Sequence, residues 1–112
     1  MKLQTRDTAG VRIVVLAGAL DAGSAGNVRQ ELGGFVKSGN VRLALDLAAV
    51  DRIDSTGLGA LVTTLKAARD KGGDLVLAGL TPSVRAIVEL TRLHRVFEIY
   101  GTVDSAAKEL ER

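Results

Sequence analysis

Leu45 to Leu61, reading L-D-L-A-A-V-D-R-I-D-S-T-G-L-G-A-L, is where the apolar period of this chain changes. Up to it, Val41, Leu43, Leu45 and Leu47 alternate with Arg42, Ala44 and Asp46, as side chains do along a strand. Beyond it, Leu58, Leu61, Val62, Leu65 and Ala68 recur at the spacing of one helical face. The junction falls at Asp54-Ser55-Thr56. Asp and Ser are favoured helix caps because their side-chain oxygens accept the free N–H groups of the first turn, so Asp54 or Ser55 is expected to cap. A buried strand thus hands one hydroxyl, that of Ser55, to the start of a helix.

Outward from this junction the same alternation continues. Lys2 to Arg6 reads as a polar strand, Asp7 to Gly10 as a turn, and Val11 to Leu16 as a second strand, together a hairpin. Gly18 to Ser24 is a loop of small residues, and Val28, Leu32, Phe35 and Val36 mark a helix of about four turns that ends near Gly39-Asn40. The core strand Val41 to Leu47 follows, then the central junction and its helix to about Lys71, stopped by Gly72-Gly73. Leu75 to Ala78 is a short apolar run suited to a strand covered by helices. Thr81-Pro82 opens a further helix, with Pro at the first helical position and Val84, Ile87, Val88 and Thr91 inward. Phe97 to Tyr100 is a candidate edge strand, and Thr102 to Glu111 an amphipathic helix with Val103, Ala106, Ala107 and Leu110 inward. Strand and helix alternate with short connections, which predicts an α/β fold: a small, mixed, mostly parallel sheet with right-handed crossovers and about four helices. The 112 residues suit a single domain, 1–112.

Composition narrows the function classes. Fifteen basic and thirteen acidic residues, a net charge of +2, are spread evenly, and aromatic residues make up 3% with no Trp. That leaves neither an electrostatic footprint nor a stacking platform for direct nucleic-acid binding. Without cysteine there is no disulfide framework or thiolate metal site, in keeping with a cytoplasmic protein. No apolar run approaches the roughly 18 residues needed to span a bilayer, so no membrane association is expected.

Catalytic readings fail at identifiable positions. A serine nucleophile elbow needs glycine where Ile53 stands, and the single histidine, His94, lies late in the chain between Arg92 and Arg95 as a solvated imidazole. Gly57-Leu58-Gly59 lacks the third glycine of a dinucleotide loop, Val62 standing in its place, and no phosphate-binding P-loop occurs. A metal would have only Asp21, Asp46, Asp51 and Asp54 to bind, and a phosphoacceptor receiver lacks its paired carboxylates and strand-end lysine. No enzyme, metal site or cofactor is therefore expected. Ser55 as the target of a modification fits better. At a helix N-terminus a phosphate of about −1.5 to −2 charges meets free N–H groups and the positive end of the dipole, which return roughly 0.3–2 kcal/mol. Glycine in a helix interior costs about 0.5–1 kcal/mol relative to alanine, so Gly57 and Gly59 must be useful as bare backbone. The residues alone leave two uses open, close packing on the sheet beneath an ordinary cap, or a docking surface beside a switch.

Asp54-Ser55-Thr56-Gly57-Leu58-Gly59, preceded by Leu45-Asp46-Leu47, resembles the D-S-[ST]-G-[LIV]-G signature of the STAS domain family, specifically its bacterial anti-sigma factor antagonists. Gly18-Ala19-Leu20-Asp21, Gly72-Gly73-Asp74 and Thr81-Pro82-Ser83-Val84 extend the likeness over nearly the whole chain. The resemblance implies a strand-helix superhelix around a small mixed sheet, and work by partner switching. The dephosphorylated antagonist would bind an anti-sigma factor that is also a serine kinase. Phosphorylation would release it, and a serine phosphatase would reset it. Carried over to this chain, Ser55 is the phosphoacceptor with Thr56 as back-up, while Asp21, Asp54, Thr56, Gly57, Leu58 and Gly59 form the partner-binding surface. On that reading Asp21 and Asp54 would add their negative charges to the phosphate. Two departures from the pattern are the light Ala22-Gly23 loop and the positive charge of Arg52 near the site. The family also includes scaffold proteins and subunits of transporter complexes, which would not require a modified Ser55.

Overall fold

The computed structural model describes residues 1–111. Strand β1 (Lys2–Thr8) and strand β2 (Val11–Leu20) form an antiparallel hairpin in which Thr8 faces Val11. The turn is only Ala9-Gly10, both at positive φ, 50° and 81°, the geometry whose twist matches that of the flanking strands. The expected four-residue turn is therefore too long. Asp7 belongs to the ladder opposite Arg12, and its carboxylate accepts bonds of 2.8 and 2.9 Å from that guanidinium.

Helix α1 (Ala25–Lys37) leads to β3 (Arg42–Ile53), helix α2 (Ser55–Asp70) to β4 (Asp74–Ala78), and helix α3 (Pro82–Leu90) through a 3₁₀ turn at Leu93–Arg95 to the two-residue β5 (Ile99–Tyr100). Helix α4 (Val103–Leu110) follows. The sheet order is β1-β2-β3-β4-β5, with every pair after the hairpin parallel, so the mixed, mostly parallel sheet with four helices is as the sequence predicts. Both central strands outrun their expected ends at Leu16 and Leu47. Ala17, Gly18 and Ala19 pair with Ala49, Val50 and Arg52 across two register shifts, up to Leu20 against Ile53. Small side chains hide the alternation, and the ladder bonds that hold them in the sheet come from the neighbouring strand.

The helices divide between the two faces of the sheet. Val14, Leu16, Leu43, Leu45, Leu47, Leu75 and Leu77 pack beneath Val28, Leu32, Leu61, Leu65, Val84 and Val88 of α1 to α3. Val11, Ile13, Ala44, Val76 and Ala78 face Ala106, Ala107 and Leu110 of α4. The expected inward Thr91 is instead the exposed C-cap of α3, its hydroxyl donating to the carbonyls of Ile87 and Val88 at 2.8 and 3.1 Å. A hydroxyl satisfied by the last turn has no reason to enter the core.

Candidate functional site

The site forms where β3 ends and α2 begins. Ile53 is buried, and Asp54 follows in an extended conformation, φ −120° and ψ −177°, that lets it cap the helix. Its Oδ1 accepts the Gly57 N–H at 2.9 Å. Its Oδ2 accepts the Ala22 N–H at 3.2 Å, and its own N–H donates to the Leu20 carbonyl at 3.2 Å. One carboxylate therefore ties the start of α2 to the loop that follows β2. Between the two expected caps it is Asp54 that caps, which leaves Ser55 as the first helical residue, exposed, with no acidic side chain in the first turn.

Gly57 completes this joint from below. A Cβ there would lie 2.2 Å from the Leu20 carbonyl oxygen and 2.8 Å from the Leu20 Cγ, so only a bare backbone allows the first turn of α2 to rest on the end of β2. Gly59 has no atom within 4 Å of where its Cβ would stand, and it is exposed. The hexapeptide thus separates by depth. Ser55, Thr56 and Gly59 are exposed, Asp54 is half-buried, Gly57 is buried, and Leu58, 2% exposed, points into the core. The assignment of Gly57 and Leu58 to the docking surface is corrected to this extent: helical periodicity turns both toward the sheet, and in the free chain they support the surface from beneath.

The loop after β2 forms the other wall. Asp21 Oδ1 accepts the Gly23 N–H at 3.0 Å, and Ser24 Oγ accepts the Asp21 N–H at 3.1 Å while donating to the Ala19 carbonyl at 2.8 Å. These bonds give the light Ala22-Gly23 segment one conformation. Asp21 Oδ2 meets Arg52 Nη2 at 2.8 Å. That bond, reinforced by the guanidinium charge and by backbone N–H groups of the loop, holds the Asp21 carboxyl below its ordinary range in spite of some desolvation. The expected surplus of negative charge at Asp21 is therefore corrected, since Arg52 neutralises it. Sequence reading placed Arg52 near the site but missed this pairing and the role of Ser24. Asp21 and Ser24, three residues apart in a small-residue loop, were the available sign of a turn closed by side chains.

Residues 2–106 match the STAS domain family. The chain is 35% identical over 99 residues to the anti-sigma-B factor antagonist of Listeria monocytogenes, across 88% of this chain and 86% of that protein. The crystal structure of an anti-sigma factor antagonist from Mycobacterium paratuberculosis superposes with a TM-score of 0.89 at 28% identity, covering 99% and 94% of the two chains. The antagonist SpoIIAA shares the fold in its unphosphorylated form, TM-score 0.74 at 15% identity over 96% of both chains. Its phosphorylated Bacillus form does too, TM-score 0.75 at 17% identity over 96% and 98%. With the family matched over almost its whole length and its signature residues at the β3–α2 joint, the chain belongs to the STAS domain family and, within it, to the anti-sigma factor antagonists.

Proposed function

We propose that residues 1–112 act as one STAS domain, a cytoplasmic anti-sigma factor antagonist that regulates transcription by partner switching. With Ser55 unmodified it binds an anti-sigma factor that is also a serine kinase, so that the sigma factor is set free. The kinase transfers the γ-phosphoryl group of ATP to Ser55 Oγ, the hydroxyl loses its proton, ADP leaves, and the modified antagonist dissociates. A serine phosphatase hydrolyses the phosphate and restores binding. The chain itself acts by docking, not by catalysis.

The observation that carries this reading is the placement of Ser55: exposed, first in a sixteen-residue helix, on a joint fixed by both oxygens of Asp54. Its hydroxyl stands free for transfer while the backbone under it is held still. Electrostatics supplies the switch. Arg52 pairs with Asp21, and the carboxylates of Asp51 and Asp54 stand beside that pair, so the unmodified surface is already acidic. A phosphate adds about −1.5 to −2 charges to a surface that must shed water on docking, enough to shift affinity by roughly 1–3 kcal/mol. The test is to incubate the protein with its cognate kinase and ATP, map the phosphate by mass spectrometry, and measure binding of Ser55→Ala and Ser55→Asp by calorimetry. Phosphate on Ser55, and at least about tenfold weaker binding by Ser55→Asp, are expected. Undiminished binding by Ser55→Asp would sink the switch and favour a scaffold or transporter-subunit role.

A further inference from the structure

Strand β1 forms one rim of the sheet, and among the described residues no strand pairs with its outer edge. The other rim, β5, is two residues long against seven for β1, so β1 is the extended edge that the fold leaves open. Such edges are commonly blunted by a proline or a bulge. β1 has neither: the single proline is Pro82, and the ladder from Lys2 opposite Ala17 to Thr8 opposite Val11 runs without a shift. Every residue of the strand except Leu3 is exposed. The hairpin decides which backbone groups face out. Thr8 and Val11 flank the two-residue turn and form the bonded pair that closes it. Bonded and non-bonded pairs alternate along an antiparallel ladder, so Lys2, Gln4, Arg6 and Thr8 direct their N–H and C=O groups to β2, while Leu3, Thr5 and Asp7 turn theirs outward. Side chains alternate likewise, Leu3 packing with the core beneath α1 and Arg6 reaching Asp104 of α4 at 3.3 Å on the other face.

We propose that β1 pairs antiparallel with β1 of a second copy of this chain, about a two-fold axis that passes through Thr5 perpendicular to the sheet, so that one sheet runs through both copies. Such an axis keeps each face on its own side, and outward groups bond only to outward groups, so Leu3, Thr5 and Asp7 can be opposed only by one another. Charge selects among the registers that remain. Leu3 opposite Thr5 sets Lys2 against Arg6, Thr5 opposite Asp7 sets Arg6 against Arg6, and Asp7 opposite Asp7 sets two carboxylates together. Leu3 opposite Leu3 avoids like charges but engages only the start of the strand. Thr5 opposite Thr5 avoids them and engages the whole of β1: Lys2 meets Thr8, Gln4 meets Arg6, and Leu3 meets an Asp7 already held by Arg12 of its own chain. Thr5 lies mid-strand opposite Val14, whereas Ser55 follows the end of β3, so the two copies carry their serines at opposite ends of the joined sheet. Both Ser55 faces stay open, and the inference stands whether or not Ser55 is modified.

The chain has no cysteine, which allows single thiols to read the register. Thr5→Cys sets two sulfurs about the axis at a Cα separation of about 5.5 Å, within the span of a disulfide, whereas Thr8→Cys sets them at opposite ends of the paired strands. In mild oxidant, cross-linking of Thr5→Cys is expected to be at least about tenfold faster than that of Thr8→Cys. In sedimentation equilibrium the unmodified chain is expected to form a dimer, which Gln4→Arg should weaken several-fold by opposing like charges on an exposed pair. Thr5→Pro should abolish the dimer while circular dichroism shows the fold intact, because the N–H it removes faces outward. Arg29→Glu, on the exposed side of α1, should leave association unchanged. A chain that stays monomeric up to about 1 mM, equal cross-linking at positions 5 and 8, or a dimer that survives both Gln4→Arg and Thr5→Pro would overturn the proposal.

Discussion

Gly57 and Gly59 look equivalent in the sequence and are opposites in the fold. At Gly57 an added methyl would press into the Leu20 carbonyl, which is backbone and cannot turn aside, so Gly57→Ala is expected to destabilise the protein by about 1–3 kcal/mol in urea unfolding. Gly59→Ala meets nothing and removes a flexible residue from a helix, so it should stabilise by about 0.5–1 kcal/mol. Equal effects of the two substitutions would contradict the burial of Gly57 and the exposure of Gly59. Asp21 carries a pH dependence of definite sign. Its carboxyl titrates lower in the folded chain than its ordinary value of 3.8, chiefly through the Arg52 bond. Its contribution to stability is therefore complete above that value and lost as acidification proceeds through the folded one. Asp21→Asn should unfold with a smaller change in midpoint than wild type between pH 6 and pH 3, measured by urea titration at each pH. Which glycine is buried and which aspartate is paired depend on contacts made across the β2–β3 ladder, Gly57 against Leu20 and Asp21 against Arg52, and no local pattern around residue 55 contains them.

At the scale of elements, helices were the most legible and strand ends the least. Asp54, Thr81 and Thr102 all cap helices with their own side-chain oxygens, a local bond readable from residue type and position. Strand ends depend on a partner, and β2 and β3 continue through Ala, Gly and Arg residues because each supplies the other's ladder. The edge strand expected at Phe97 to Tyr100 shrinks to Ile99–Tyr100, since Phe97, 3% exposed, turns into the core instead. Beside that edge, the Tyr100 hydroxyl donates to Glu98 Oε1, and the carboxylate opposes a phenolate so strongly that the phenol is pushed up to about 12. Tyr100 is the single tyrosine and there is no tryptophan, so ultraviolet titration reads it alone. A midpoint well above 10 is expected, returning toward 10 in Glu98→Ala. Because the folded value is raised, the associated stability is full below the unfolded midpoint of about 10 and disappears as pH rises through about 12.

At the scale of the whole molecule, the packed faces of the sheet lie apart from the rim that carries Ser55. Helices α1 to α3 cover one face and α4 the other, and Ser55 stands at the rim where a new charge touches no buried group. Ser55→Asp puts a carboxylate at the positive end of α2, worth about 0.3–1 kcal/mol, so calorimetric melting should occur at the wild-type temperature or a few degrees above it. A lower melting temperature would attribute any loss of partner binding to unfolding instead of to charge. The sequence by itself determined the order of strands and helices, the mostly parallel sheet, the Thr81 cap and the serine at the strand-to-helix junction, because periodicity and capping act over one or two turns of chain. Tertiary structure alone decided that Gly57 lies under Leu20 and that Arg52 closes on Asp21. Those outcomes depend on atoms distant in sequence, brought together only when the strands align.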